Sequence, residues 1–258
     1  MRLGCDPECF LVDAAGAFVS AIGKIGGSKH APRPIPSLGI GYAVQEDNVA
    51  LEFNIPPANN EDAFVDHITK VKSFLEQEVN SMGLAFSRAS AVSFPEIELL
   101  DPRSQEFGCD PDFNAWTMKR NPRPQAEDKN LRSCGGHVHV GTDDKSLNSA
   151  LAVRYMDLFL GVPSVFMDSG ILRKSLYGGP GAFRFKPYGF EYRTLSNYWI
   201  FDDALIRWVW RNTQRALDET DKQSIDIATW ASRIQQAIST DNKELAYSIV
   251  DHFGIETA

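Results

Sequence analysis

The sequence is short of the features that would place it quickly. No apolar run approaches the roughly 20 residues a membrane span needs, and the opening MRLGCDPE has no apolar core of a secretory signal. Cysteine is scarce: Cys5, Cys9, Cys109 and Cys134, with no CxxC pair. On one strand Cys5 and Cys9 would stand about 13 Å apart, too far for a disulfide, so reduced thiols in a cytoplasm are expected. Positive charge is in deficit. A net charge of −8 argues against a surface that wraps nucleic acid, although it leaves a local basic pocket open. There is no phosphate loop of the GxxxxGK[ST] type. Gly23-Lys24 and Gly26-Gly27-Ser28-Lys29 have the wrong spacing, which leaves Lys24 only a candidate contact to substrate or nucleotide. No strand–helix alternation suggests a doubly wound sheet, and no linker divides the chain.

What is present is an ordinary globular composition, 43% hydrophobic and 23% charged, over 258 residues. It also holds four strand-like stretches with polar residues two apart: Asp6/Glu8, Glu52/Asn54, His137/His139 and Glu191/Arg193. Residues i and i+2 share one face of a strand. Four such pairs suggest a sheet whose concave face is a reaction chamber. The pairs around Asp6 and Glu52 also fit, singly, the wet face of a half-exposed sheet. Pro7 deletes a ladder donor and points to an edge or a bulge.

Strands are expected over 3–12, 42–55, 84–94 and 134–141, with AFVSAIG as a return strand. The stretch 42–55 reads as one alternating strand, with Glu46, Asn48, Glu52 and Asn54 on one side. An amphipathic helix over 60–82 is capped by Asn60 and carries Phe64, Ile68, Val71 and Leu75. A second helix is expected over about 144–168, kinked or broken near Gly161 and Pro163. The last 55 residues read as helical, with a capping box Asp241…Glu244 opening the final helix. Residues 23–41 and 101–133 read as loops. Phe107-Gly-Cys-Asp110-Pro-Asp112 echoes Gly4-Cys-Asp6-Pro-Glu8 without extending into a repeat. The fold class is α+β.

His137 and His139, flanked by Gly135, Gly136 and Gly141, form the sharpest motif. Imidazole ligates metals and donates to phosphate oxygens. Arg173, Lys174, Arg184, Lys186 and Arg193 put five cations within twenty-one residues of an acidic chain. Guanidinium forks suit carboxylate and phosphate. If Asp6, Glu8, Glu52 and Glu191 converge, two charges 4 Å apart repel by roughly 4 kcal/mol at an effective dielectric near 20. A divalent cation removes that cost. Carboxylate oxygens suit Mg²⁺ or Mn²⁺. Metals on one wall and cations on another fit phosphoryl transfer.

The order of these motifs resembles a known family. DPECFLV is similar to the first metal-binding strand of glutamine synthetase, GGHVHVG to its paired-histidine strand and GFEYRTL to its late acid–arginine strand. LEFN is similar to the acidic strand of glutamate–cysteine ligases. The whole pattern over about 3–200 most resembles the phage-associated amidoligases, or carboxylate–amine ligases. The resemblance implies a curved, mainly antiparallel sheet with helices on its convex side, as in the synthetase catalytic domain. Residues 1–258 would form one ligase domain, with a sheet core over about 1–200 and C-terminal helices over about 201–258.

The same resemblance implies ATP and Mg²⁺ (or Mn²⁺) as cofactors, and small-molecule or peptide carboxylate and amine substrates. A modified base stays open as substrate; no membrane is implied, and a homo-oligomer is open. Metal ligands would be Asp6 (where the family usually has Glu), Glu8, Glu52, His137 and Glu191. His139 would face the transferred phosphate and Arg193 would grip the substrate carboxylate. Arg184 would serve catalysis, with Arg173, Lys174, Lys186 and Lys24 as further nucleotide contacts. The synthetase's N-terminal lobe has no counterpart here, so substrate and assembly do not carry over. Two alternatives remain: a metal-dependent hydrolase using His137 and His139, and a non-catalytic binding relative.

Overall fold

Pro7 stops the first strand and hands the chain from one sheet to another. The computed structural model describes residues 1–105, 112–122, 127–144, 146–168 and 170–257. The stretch expected to be a single strand is three: β1 (Arg2–Cys5), β2 (Glu8–Cys9) and β3 (Leu11–Asp13), each in a different sheet. The missing proline donor falls in the gap between β1 and β2, where no ladder requires it. The Pro7 carbonyl accepts from Phe53 N–H at 3.2 Å, and Glu8 N–H donates to Gly135 O at 2.9 Å. The crossing is therefore stitched on both sides.

The return strand β4 (Phe18–Val19) pairs with β3. After β5 (Arg33–Pro34), residues 42–55 form a hairpin, β6 (Ala43–Asp47) and β7 (Ala50–Asn54), rather than one strand. Asn48 turns it at φ 55, a conformation asparagine tolerates better than most residues. Helix α1 (Glu61–Ser81) follows as expected, with Asn60 Oδ1 accepting from Ala63 N–H at 2.8 Å. Its face of Phe64, Ile68, Val71, Leu75 and Val79 is buried, each side chain contributing roughly 1.5–3 kcal/mol. Then come β8 (Leu84–Phe86), β9 (Ala91–Ser93), β10 (Phe113–Asn114), β11 (Lys119–Arg120), β12 (Leu131–Ser133) and β13 (Val138–Gly141). The Phe107–Pro111 part of the echo motif, with Cys109, lies outside the described residues.

The helix expected over 144–168 starts later. Asp144 closes its own turn on Ser146 N–H, and Asn148 caps α2 (Ser149–Met156). A π-helical turn over Asp157–Gly161 leads straight into α3 (Val162–Met167). It shifts the hydrogen-bond register just ahead of Pro163, so the helix continues instead of breaking. Contrary to expectation, Ser149–Met167 is long and apolar enough, by length and composition, to cross a membrane; 78% of that stretch is buried inside the fold, as in a core helix.

The remaining elements are α4 (Ile171–Leu176), β14 (Ala182–Lys186), β15 (Gly189–Tyr192), α5 (Asp203–Lys222), α6 (Ile227–Ser239) and α7 (Lys243–Phe253). The expected capping box does not form. Asn242 caps α7 by accepting from Leu245 N–H at 2.9 Å, while Asp241 turns to Lys174 at 3.5 Å.

Helices and antiparallel sheets make up the fold. The expected single sheet is divided among the described residues into four open ones. The largest runs β1-β13-β15-β14-β10-β11, and a four-stranded sheet runs β2-β7-β6-β5. One apolar core reaches from Leu3 to Ile255; in it Phe64 stacks on Trp199 with ring centres 6.0 Å apart.

Candidate active site

Register brings the acids and imidazoles together. On the six-stranded sheet His139 stands opposite Glu191, and Glu191 opposite Arg184. On the four-stranded sheet Glu8 stands opposite Glu52, and Glu52 opposite Gln45. Directly paired residues share a face. His137 and Arg193 each lie two residues from one of these positions, on the same side. Asp6, in the gap between β1 and β2, joins the two rows.

The result is two groups of metal-competent side chains: Asp6, His139 and Glu191, and Glu8, Asp47 and Glu52. Within each group the ligand atoms lie within 4.8 Å of one another. His137 completes the first group, its Nδ1 lying 3.2 Å from Asp6 Oδ1 and 3.4 Å from Glu191 Oε1. His139 Nε2 is 3.1 Å from Asp6 Oδ2. Asp6, His137 and His139 of the first group and all three acids of the second border a cavity of about 440 Å³, together with Lys29, Asn54, Arg184 and Lys186, while Glu191 lies buried behind it. Lys186 Nζ lies 2.7 Å and Arg184 Nη1 3.5 Å from Glu191 Oε2. Arg193 pairs with Glu191 and lies 3.4 Å from Asp112.

The electrostatics differ between the groups. Burial works against charge on Asp6, but His139 and His137 outweigh it and hold its carboxyl well below the usual range. Glu191 is likewise desolvated, yet Arg193 holds it down to about 2. Burial first, and the Arg193 charge next, push His137 down to about 4. In the second group burial, then Asp47, pushes Glu8 up to about 8. Burial and the charges of Asp6, Asp47 and Glu8 raise Glu52 well above a carboxylate's ordinary value. Three desolvated acids that repel one another are a donor set made for a hard divalent cation, so the residues fit Mg²⁺ or Mn²⁺.

The glycines of GGHVHVG have a specific use. A side chain at Gly135 would collide with the His137 ring and the Tyr177 hydroxyl, and one at Gly136 with Ser196 and Trp199.

Several expected site residues lie elsewhere. Arg173 is fully buried, donating to the carbonyls of Thr194 at 2.9 Å and Arg193 at 3.0 Å. Lys174 faces Asp241, away from the cavity lining. Lys24 is exposed and donates to Ser20 O at 2.8 Å. None of the three lines either cavity: α4 turns Arg173 and Lys174 inward, and Lys24 folds back onto the Ser20 carbonyl. Glu46, expected beside Glu52, accepts from Ile25 and Gly26 N–H and pairs with Arg103.

Asp47 takes that place. Reading 42–55 as one strand put the even residues of its first half on the Glu52 side. The hairpin reverses this parity, so Gln45 and Asp47 share the face of Glu52. A turn at Asn48 would have revealed it. Tyr177, which touches His137 and Arg193, carried no signal in the sequence.

A second cavity of about 540 Å³ shares His139 with the first; Ile55, Pro57 and Tyr188 line it, with Arg2 and Asp143 paired at one end. The Tyr188 hydroxyl lies 3.0 Å from His139 Nδ1.

The later half of the chain matches a class of carboxylate–amine ligases. Residues 127–251 match the model of the phage phiEco32-like COOH.NH2 ligase-type 2 family. That stretch holds His137, His139, Arg184, Lys186, Glu191 and Arg193, and bears out the resemblance to phage-associated amidoligases. No curated protein matches the chain. Among solved structures, a GmaS–ADP complex aligns with 97% of this chain and 67% of its own, at 10% identity and a TM-score of 0.41.

Proposed function

We propose that this protein is an ATP- and Mg²⁺-dependent ligase that joins a carboxylate to an amine. The observation that carries the reading is the single cavity bordered by two metal-competent groups, with Arg184, Lys186 and Arg193 on the adjoining wall. The family match over residues 127–251 supports the same bond type.

Asp6, His137, His139 and Glu191 would hold one divalent cation, and Glu8, Asp47 and Glu52 a second. Bound there, the cations would supply neutralising charge for the nucleotide phosphates. Arg193 and Arg184 orient the substrate carboxylate and the transferred phosphoryl group. A carboxylate oxygen attacks the γ-phosphorus, and ADP leaves. The amine nitrogen then attacks the acyl carbon, and inorganic phosphate departs as the C–N bond forms.

The second cavity, apolar and meeting the first at His139, suits the nucleotide base, with the phosphates directed towards His139. This replaces the contacts expected from Arg173, Lys174 and Lys24. On this reading residues 1–258 act as one cytoplasmic ligase domain, and the two larger sheets form a curved chamber of the glutamine-synthetase kind.

The test is ADP release measured with pools of carboxylates and amines. ADP that requires both partners, together with Mg²⁺, is expected. Product formed from a single substrate and water without ATP would instead identify a metal-dependent hydrolase.

A further inference from the structure

We infer that Tyr177 is a positioning residue that sets the ring orientation of His137 and holds Arg193. The inference rests on the ligase reading only for the metal role of His137. Arg193 Nη2 donates to Tyr177 Oη at 3.2 Å. That leaves the phenol's own proton for His137 Nε2, with which it is in direct contact. With Nε2 accepting, the proton of the neutral ring sits on Nδ1, facing Asp6 Oδ1 at 3.2 Å and Glu191 Oε1 at 3.4 Å. A hydroxyl can also reverse and accept from Nε2–H. It therefore supports the ring both before and after Nδ1 yields its proton to bind a cation. Phenylalanine, which lacks the hydroxyl, can do neither.

The surroundings are built to keep Tyr177 there. Its ring lies between two guanidiniums, with Arg173 Cζ 4.6 Å and Arg193 Cζ 5.1 Å from the ring centre. Arg173 is 0% exposed and is itself fixed by two backbone carbonyls. The chain leaves Tyr177 through Gly178 at φ 75, where a Cβ would come within 2.5 Å of Arg173 Nη1. A glycine is needed on both counts. Gly135 leaves the gap in which the hydroxyl and the imidazole meet. This gives Arg173 a role: it backs Tyr177, which acts on His137 and Arg193.

Two measurements test the inference. Side-chain ¹⁵N correlation spectra of the metal-free protein should show His137 as a single Nδ1–H tautomer. In Tyr177→Phe that preference should be lost. Calorimetric titration with Mn²⁺ should show binding weaker by about 10- to 100-fold in Tyr177→Phe. An unchanged tautomer together with unchanged Mn²⁺ affinity in the variant overturns the inference. If the variant does not fold, the wild-type spectrum decides: a metal-free Nε2–H tautomer would mean that the hydroxyl accepts from the ring instead of donating to it, which overturns the assignment. A wild-type protein that binds no Mn²⁺, but whose His137 tautomer depends on Tyr177, would sink the metal-dependent reading and leave the positioning role intact.

Discussion

Replacing Glu8 with glutamine should make the metal-free protein more stable while weakening its response to metal. Glu8 is almost wholly buried, opposite Glu52 and near Asp47. Its carboxyl, ordinarily near 4.5, is pushed to about 8, by burial first and Asp47 second. Between those values the folded protein holds a proton that the unfolded chain has released, so stability falls as pH rises across the window. At pH 7 the cost reaches about 3 kcal/mol. Glutamine carries no charge, and its side-chain oxygen keeps the 2.6 Å bond from Gly135 N–H. In a chain of 258 residues, about 3 kcal/mol corresponds to a melting point higher by about 6–12 °C.

Calorimetry in chelator at pH 7 measures that gain, and a series down to pH 5 should show it shrinking. The second arm adds Mg²⁺ or Mn²⁺. Wild type at a hundred times Kd should gain about 2.7 kcal/mol, and the variant markedly less. An unstabilised metal-free variant, or an equal metal response in both proteins, would refute the reasoning that these acids are held apart from their preferred protonation for a cation.

Asp47→Asn should weaken Mn²⁺ binding at least tenfold and remove amine-dependent ADP release, whereas Glu46→Gln should leave both near wild type; titration calorimetry and coupled ADP assays check this. Arg173→Lys should cost about 2–3 kcal/mol in urea denaturation through its lost carbonyl bonds, while Arg184→Gln should lower turnover with little change in stability. Asp157→Asn removes an acceptor that serves Trp116 Nε1 at 2.6 Å and Tyr192 Oη at 2.9 Å, and should cost about 1–3 kcal/mol in the same denaturation assay.

Asp6, Glu8, Glu52, His137 and Glu191 were legible in the sequence because each belongs to a strand-period pair. That period is a local property of the chain. Helix α1 was legible for the same reason, in its Asn60 cap and apolar spacing. The sequence also carried, in GGHVHVG and GFEYRTL, the two motifs that fall within the ligase-family match over residues 127–251. Placement across elements was decided only in three dimensions. Pro7 splits one strand between two sheets, and that split sets Glu8 against Glu52 and Asp6 between the rows. The turn at Asn48 brings Asp47 to the site and sends Glu46 away, since a hairpin reverses parity without changing the apolar pattern. The cations of α4 read as phosphate contacts by composition. Whether they face a cavity or the interior depends on which helix face packs against the Arg193–Thr194 backbone. Tyr177 reaches His137 only because Gly135 and Gly178 give up their side-chain space at two distant points of the chain. No local spacing encodes that meeting.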